Sequence, residues 1–463
     1  MFDRRRRAAR AALAVLACVA ALPVPAPAAA TGPHDVIQRS TITATLDADA
    51  GRLDAALDLE LTNQSGTTLE HVDLSVVPQA LGFFTLGDPV EVDGRAVEPA
   101  WTTSINLRVP LGALGDGGSA SVRVPFRLDV GLPPDAFRAR TSAANGVLSF
   151  GQWYPIVSSE HEVYGLGDPQ ISYTAASVRL ELTSTAPLQR DAVACPGLLE
   201  APEASGTSWI CESTDVRDFS FVVNPRFVRT DATAGDVAVR VYTETVDGSV
   251  TAELATQALT GLEERFGPYP WPDLVLAEVG SAGGFSMEYP RAIHLTRDKV
   301  VDPYVVFHEV AHQWFYAQVG NDQQAEPWLD EAWADFSARD LLGVEENQCS
   351  SRPVDSEVFA WPADATSGGD WTSCDGYFHA VFYRGTELIT AIRQEMGDDA
   401  FFGAMRRWFA QRRGGFVTEG QLLGHLQAFT DADLRPILDG YLQAYELVPP
   451  KAPVTIRRVG ESG

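Results

Sequence analysis

The sequence predicts a multidomain α+β protein, in which an antiparallel β domain precedes a mainly helical domain. Three observations predict this class. Up to about residue 230, apolar side chains alternate with period two, as at Leu57, Leu59 and Leu61, which is the pattern of a half-buried strand. Beyond about residue 235 they recur every four residues, beginning with Leu254 and Ala258, which indicates an amphipathic helix. The length of 463 residues also exceeds that of one typical core.

The first half is predicted to be built from antiparallel strands. Residues 122–130 and 178–182 alternate between apolar and other side chains. The phrases Asp116-Gly117-Gly118 and Asn145-Gly146 are turn signals between such runs. A series of strands followed by a series of helices is typical of α+β proteins or of separate domains.

The second half is predicted to contain one small sheet among several helices. The first helix ends near Gly267-Pro268, because proline and glycine follow the last periodic residue. A short apolar strand covers 274–279. Further helices are predicted at 302–319, 328–342, 379–396 and 398–413, with two more between about 419 and 444. The resulting division is a signal peptide (1–30), an N-terminal β-domain (31–235), a second domain (236–445) and a C-terminal tail (446–463).

The amino terminus has the features of a cleavable signal peptide. Basic residues from Arg4 to Arg7 precede an apolar run at 11–22 and small residues at 28–30, the order found in secretory signals. The apolar run is too short for a comfortable bilayer span. A lipoprotein signal around Cys18 is disfavoured because the apolar stretch continues past it. We therefore expect a secreted or otherwise extracytoplasmic protein without stable membrane insertion.

Composition excludes some partners and indicates disulfide bonding. The net charge of −27 disfavours nucleic acid and anionic membrane surfaces, and it predicts no particular oligomeric state.

Beyond Cys18, four cysteines remain, and an even number in an oxidising compartment suggests disulfides. Three pairings are open, as are four free thiols. The pairing Cys195–Cys211 with Cys349–Cys374 is preferred because each bond closes a short local loop.

The segment His308-Glu309-Val-Ala-His312 predicts a metal site. Residues four apart share one face of a helix, so both imidazoles can address one ion. With Glu331 they form the three-ligand set of a catalytic zinc site, and Glu309 is free to act as the base for a water molecule. Asp335, four residues after Glu331, is predicted to hold one histidine ring. The residues therefore predict a hydrolase with one zinc ion (Zn2+) per chain.

Longer phrases resemble the M1 family of zinc aminopeptidases. They are His308-Glu-Val-Ala-His-Gln-Trp-Phe315, the eighteen residues between His312 and Glu331, and Trp328-Leu-Asp-Glu-Ala-Trp-Ala-Asp335. Weaker similarities lie at 150–155, 215–219, 266–272 and 285–290. The resemblance implies a saddle-like N-terminal β-domain and a thermolysin-like catalytic domain. It also implies that His308, His312 and Glu331 bind zinc, that Glu309 is the general base, and that Glu288 binds the amino terminus of the substrate.

Two positions depart from the family pattern. Phe285 stands where the family has glycine, and Phe382 stands where it has the tyrosine that helps to hold the oxyanion. Phenylalanine has no hydroxyl group to donate. Three outcomes stay open: Tyr383 turns inward and is catalytic, Tyr377 or His379 replaces the donor, or the enzyme is slow or inactive.

The sequence thus predicts a secreted zinc-dependent metallopeptidase that removes amino-terminal residues from peptides. Two alternatives follow from the same residues. A thermolysin-like endopeptidase would use the same zinc ligands on substrates with a blocked amino terminus. A catalytically impaired homologue would retain zinc and bind peptides, as Phe285 and Phe382 suggest.

Overall fold

The computed structural model describes residues 36–132, 140–158, 174–280, 286–323, 326–344, 379–442 and 446–449, without the side chains of residues 379 and 380. The predicted signal peptide, the pair Cys349–Cys374, and Phe285 and Tyr377 lie outside these ranges. So does the side chain of His379.

The first half of the chain is built almost entirely from strands. They are β1 (Val36–Asp47), β2 (Arg52–Asn63), β3 (Leu69–Ser75), β4 (Phe84–Leu86), β5 (Val90–Val92), β6 (Arg95–Val97), β7 (Ala100–Trp101), β8 (Asn106–Leu114), β9 (Ser119–Asp129), β10 (Thr141–Ala144), β11 (Val147–Phe150), β12 (Ile156–Val157), β13 (Ala175–Gln189), β14 (Val193–Ala194), β15 (Leu198–Glu200), β16 (Ser205–Val216) and β17 (Phe221–Val223). One short helix, α1 (Val77–Ala80), interrupts them.

A large sheet forms the centre of this half. Within the described residues its strand order is β15-β16-β13-β1-β2-β9-β5-β6, with β4 also paired to β9. The β1–β13 pair is parallel and the other pairs are antiparallel. Leu57, Leu59 and Leu61 are buried, because alternate side chains of a strand point to one face. The predicted strands are therefore confirmed.

A disulfide bond links two segments of this half. Cys195 follows β14 and is bonded to Cys211 of β16. Both side chains are fully buried. This confirms one of the two predicted pairs.

The second half contains a four-stranded sheet and most of the helices. The strands are β18 (Val228–Ala234), β19 (Val237–Thr243), β20 (Asp273–Val279) and β21 (Ala292–Thr296), paired in that order. The helices are α2 (Gly248–Phe266), α3 (Pro303–Ala311), α4 (Glu331–Leu342), α5 (Arg384–Met396), α6 (Asp398–Arg412), α7 (Glu419–Gln427) and α8 (Arg435–Tyr441). The β half and the helical half confirm the predicted α+β class. The boundary predicted at 235/236 falls in the turn that joins β18 to β19, which pair in one sheet.

The metal-motif helix is shorter than predicted. It was expected to span 302–319, but α3 ends at Ala311. The backbone of Tyr316 has a φ angle of 107°, which a helix cannot contain. Phe315 and Val319 instead form an isolated bridge. A tight loop therefore leaves the metal-motif helix directly after His312.

Side chains connect the two halves. The indole nitrogen of Trp271 donates a hydrogen bond to the carbonyl of Thr214 at 3.0 Å. From the first half, the backbone N–H of Gly197 donates to the carboxylate of Asp273 at 2.9 Å, and that carboxylate is also paired with Arg291 in a buried ion pair of the second half. Among the described residues, no helix combines the length and apolarity that crossing a membrane requires.

Candidate metal centre

The helix that presents the two histidines has a well-defined start. The side chain of Asp302 accepts hydrogen bonds from the backbone N–H groups of Tyr304 and Val305, at 3.1 and 3.4 Å. Pro303 is the first helical residue, a position where its missing N–H group costs nothing. His308 lies about one and a half helical turns after Pro303, and its side chain is buried.

The three predicted ligands converge. The Nε2 atoms of His308 and His312 lie 3.1 Å apart. The Oε2 atom of Glu331 lies 3.1 Å from Nε2 of His308 and 3.5 Å from Nε2 of His312. All three side chains are buried. The sequence prediction that these residues meet at one point is confirmed.

This donor set fits zinc. Ligands at 2.0–2.1 Å from a tetrahedral zinc ion lie about 3.3–3.4 Å from one another, and the observed separations of 3.1–3.5 Å bracket that value. Two imidazoles and one carboxylate are common protein ligands of zinc, and three ligands leave a fourth position for water or substrate. His308, His312 and Glu331 thus form a zinc-binding triad for one ion.

The charges around the triad also favour a cation. Burial lowers the pKa of His312, but the neighbouring charges of Glu288 and Glu331 outweigh burial and raise it well above its usual value. Burial raises the pKa of Glu331, but the charge of His312 and the hydrogen bonds to His308 and His312 together outweigh burial and lower it. The excess of carboxylates at this point therefore favours positive charge, which a divalent metal supplies.

A backbone carbonyl orients His312. Its Nδ1 atom lies 3.1 Å from the carbonyl oxygen of Phe315. A protonated Nδ1 donates to that oxygen, which leaves Nε2 as the metal-binding nitrogen. This contact has no signal in the sequence, because it depends on the tight loop that follows the helix.

Asp335 makes different contacts from those predicted. Its Oδ2 atom accepts hydrogen bonds from Nε of Arg339 at 2.7 Å and from the hydroxyl of Thr386 at 2.8 Å. Its Oδ1 atom and Nδ1 of His308 are both buried, and neither has a hydrogen-bond partner among the described residues. The predicted bond from Asp335 to a histidine ring is therefore not among its contacts. The i,i+4 spacing of Asp335 and Arg339 is the sequence signal that predicts the observed ion pair.

The start of the second metal helix is fixed by a buried acid. Asp330 caps α4 by accepting a hydrogen bond from the backbone N–H of Glu331 at 3.0 Å. The side-chain amides of Asn321 and Gln323 donate to Asp330 at 3.2 and 2.6 Å. These contacts hold Glu331, the first residue of the helix, in register with the histidines.

Glu309 lies in the same helix turn as the ligands without belonging to the triad. It is buried, and its Oε2 atom has no hydrogen-bond partner among the described residues. Burial, and then the charge of Glu288, raise the pKa of Glu309 well above its usual value. A carboxyl group with a raised pKa is suited to accept a proton and return it.

Glu288 lies close enough to the triad to interact with it electrostatically. Burial raises its pKa to about 6, whereas the charge of His312 lowers it. Its backbone carbonyl accepts a hydrogen bond from the side chain of Gln313 at 3.3 Å. Its Oε1 atom is buried without a hydrogen-bond partner among the described residues. The structure therefore buries a second glutamate, with one unpaired oxygen among the described residues, within the electrostatic field of the metal centre.

Phe382 stacks on a metal ligand, whereas Tyr383 packs against Arg339. The ring of Phe382 stacks on that of His308, with centroids 5.7 Å apart and planes 14° from parallel. Residues 379–383 form one turn of π-helix before α5, an irregularity that is frequent at functional sites. Tyr383 lies against Arg339, whose guanidinium is 5.4 Å from the ring centre. The catalytic role predicted for Tyr383 stays a prediction.

Tyr304 is a neighbour of the triad that the sequence analysis missed. Its ring stacks on His308 at a centroid distance of 6.1 Å, and the guanidinium of Arg339 lies 5.5 Å from its centre. Tyr304 precedes His308 by four residues, so helical spacing alone would have placed both on one face.

Part of the chain matches a known protein family. Residues 251–441 match the model of the peptidase family M1 domain. This segment of the chain is similar to the M1 peptidase domain. It begins within α2 and extends to the last residue of α8, so it contains the complete zinc triad.

Known relatives are longer than the region that matches. Aminopeptidase N of Lactobacillus helveticus is 27% identical over 172 residues, which are 34% of this chain and 20% of that relative. The match thus spans about a fifth of the relative's length.

Solved structures resemble nearly the whole chain in fold. A mutant of a two-domain M1 zinc metallopeptidase bound to L-arginine is 18% identical with a TM-score of 0.63, covering 90% of this chain and 96% of that one. A mutant of an M1 zinc metallopeptidase from Deinococcus radiodurans bound to a Tyr-Ser-Ala substrate is 19% identical with a TM-score of 0.62, covering 91% and 96%. These likenesses establish a shared two-domain fold.

Proposed function

We propose that this protein is an exported zinc aminopeptidase that hydrolyses the first peptide bond of a substrate with a free amino terminus. The observation that carries the proposal is a complete zinc triad together with two buried glutamates, Glu309 and Glu288. Each has one carboxylate oxygen without a hydrogen-bond partner among the described residues. A hydrolase needs the first as a base, and an exopeptidase needs the second as an anchor for the substrate amine. The aminopeptidase N relative and the peptide-bound neighbour support the same substrate class.

The zinc ion would be held by His308, His312 and Glu331, and when bound it activates water and polarises a carbonyl group. Glu309 accepts a proton from the water as its oxygen bonds to the scissile carbonyl carbon. Glu309 then donates that proton to the amide nitrogen as the carbon–nitrogen bond breaks, so the products are a free amino acid and a peptide shortened by one residue.

Glu288 provides the contact that selects a free amino terminus. A carboxylate and an ammonium group about 4 Å apart in a partly buried site attract each other by roughly 4 kcal/mol before the cost of desolvation. An acetylated amino terminus carries no charge and loses this attraction. The proposed preference for amino-terminal residues therefore depends on one side chain.

Export is proposed from the amino-terminal sequence. Basic, apolar and small-residue segments follow one another over residues 1–30, the order of a secretory signal. The buried pair Cys195–Cys211 supports an oxidising compartment, where disulfides persist.

Hydrolysis of two peptides, one with a free and one with an acetylated amino terminus, tests the proposal. Enzyme treated with a chelator is the blank. We expect the wild type to cleave the free peptide only. Glu288→Gln should raise KM for the free peptide by about 10- to 100-fold, because a charged hydrogen-bonding partner is lost. The control is Glu326→Gln, which neutralises a half-buried carboxylate elsewhere in the catalytic half.

The alternatives predict other results in the same assay. Cleavage of the acetylated peptide at internal bonds, unaffected by Glu288→Gln, would identify an endopeptidase. Stoichiometric zinc without turnover of either peptide would identify a binding protein, an outcome that Phe382 keeps open.

A further inference from the structure

The segment around Glu288 forms a tight turn against the strand that follows it. The backbones of Met287 and His294 exchange two hydrogen bonds, each of 2.8 Å. The N–H of Ala292 donates to the carbonyl of Tyr289 at 3.0 Å. These bonds place the turn on β21. They do not by themselves relate the turn to the helix that carries the two histidines.

One side chain joins this turn to the metal centre. Gln313 directly follows the metal ligand His312 and is fully buried. Its amide nitrogen donates to the carbonyls of Glu288 and Tyr289, at 3.3 and 3.2 Å. Its amide oxygen accepts from the backbone N–H of Arg291 at 2.8 Å. Because the nitrogen meets only acceptors in these contacts and the oxygen meets a donor, they fix the orientation of the amide.

The end of the turn is held on both sides. The guanidinium of Arg291 forms a buried ion pair with Asp273 of β20, while its backbone N–H donates to Gln313. The φ angle of Arg291 is 63°, in the left-handed region that few residues with a side chain adopt. Such conformations persist where the surroundings enforce them, and they cluster at functional sites. The bond from Arg291 to Gln313 is one of the contacts that hold this conformation.

The distance between the amine-binding carboxylate and the metal is critical for an aminopeptidase. The enzyme must hold the amine and the scissile carbonyl of the same residue at once, and only the Cα atom separates the amine nitrogen from the carbonyl carbon. The spacing between Glu288 and the zinc triad must therefore match a single residue. A misplacement of about 1 Å can cost about 10²-fold in rate.

We propose that Gln313 is a positioning residue that sets the spacing between the Glu288 carboxylate and the zinc triad. It is adjacent in sequence to the metal ligand His312, and it is hydrogen-bonded to the backbone of Glu288 itself. It thus connects the two parts of the site directly. This inference rests on the proposed function, in which Glu288 binds the substrate amine.

Replacement of Gln313 should act through position rather than through charge. After burial, the charged groups that act on the pKa of Glu288 include His312, Glu331 and Arg140. The side chain of Gln313 is neutral, so an apolar replacement of similar length leaves all of these charges in place. A change in substrate binding would therefore report where the carboxylate lies.

A double-mutant cycle tests the inference. Gln313→Met keeps the length of the side chain and removes its hydrogen bonds. We expect it to lower kcat/KM for a free-amino peptide by about 10- to 100-fold. In the Glu288→Gln background the same substitution should cost less than about threefold, because the spacing no longer matters once the amine is not held. The matched control is Gln38→Met in β1, which removes a similarly buried amide from the first half and should leave kcat/KM unchanged in both backgrounds.

Zinc binding provides a readout that does not depend on turnover. Competition with a chelator should give a zinc dissociation constant for Gln313→Met within about threefold of the wild-type value, because all three ligands remain. A zinc affinity that falls as far as kcat/KM would show that Gln313 supports His312 rather than Glu288, and it would overturn the inference. If Gln313→Met does not fold, Gln313→Asn, which keeps the amide but shortens its reach, takes its place in the cycle.

The cycle separates the inference from the proposed function. No loss on replacement of Gln313, or equal losses in both backgrounds, would refute the positioning role alone. A Glu288→Gln enzyme with the wild-type kcat/KM for the free-amino peptide would instead refute the proposed function.

Discussion

Glu309→Gln is expected to lower kcat by about 10²–10⁴-fold, the usual contribution of a positioned general base. Glutamine has nearly the same shape as glutamate, but its amide cannot accept the proton of the attacking water. Glu309 is not one of the three converging ligands, so the zinc content should not change. Steady-state hydrolysis of a free-amino peptide measures the rate, and elemental analysis measures the metal.

The interpretation of this variant requires that the fold and the metal are preserved. Glu326→Gln is again the control, and circular dichroism checks the secondary structure of both variants. A Glu309→Gln enzyme that holds zinc and retains more than about a tenth of the wild-type kcat would show that another group acts as the base.

Phe382→Tyr is expected to raise kcat by about 10²–10³-fold, the size of the effect when one oxyanion donor is removed from other enzymes. The ring at this position already stacks on the metal ligand His308, so the substitution adds a hydroxyl donor next to the proposed metal centre. The comparison of kcat for the two enzymes with a single free-amino peptide measures the gain.

Tyr383→Phe distinguishes the two neighbouring positions. Because Tyr383 packs on Arg339, loss of its hydroxyl should change kcat by less than about threefold. A loss of about 10²-fold or more would instead establish Tyr383 as the donor, which is one of the three outcomes that the sequence leaves open. No gain from Phe382→Tyr in an active enzyme would contradict the role assigned to position 382.

Much of the fold could be predicted because periodicity reflects burial directly. The alternation around Leu57 and the four-residue recurrence from Leu254 correspond to β2 and α2. The end of the metal helix could not be predicted in this way. Tyr316 has no intrinsic preference for a positive φ, and its ring lies against the guanidinium of Arg217, a residue about a hundred positions earlier in the chain.

The zinc triad could be predicted because helix geometry fixes the relation between His308 and His312. The sequence could not predict how those two rings are oriented. The group that holds His312 is a backbone carbonyl, and a carbonyl has no sequence signature. The side chain predicted for that purpose, Asp335, pairs with Arg339 and Thr386, because an arginine four residues later on its own helix competes for the carboxylate.

The central claim is that His308, His312 and Glu331 together bind one zinc ion. Elemental analysis of the purified protein, beside His312→Ala and the ligand-sparing control His425→Ala, tests it most directly. We predict one zinc per chain in the wild type and in His425→Ala, and a loss of zinc in His312→Ala. Stoichiometric zinc in His312→Ala, or no stoichiometric metal in the wild type, would contradict the claim.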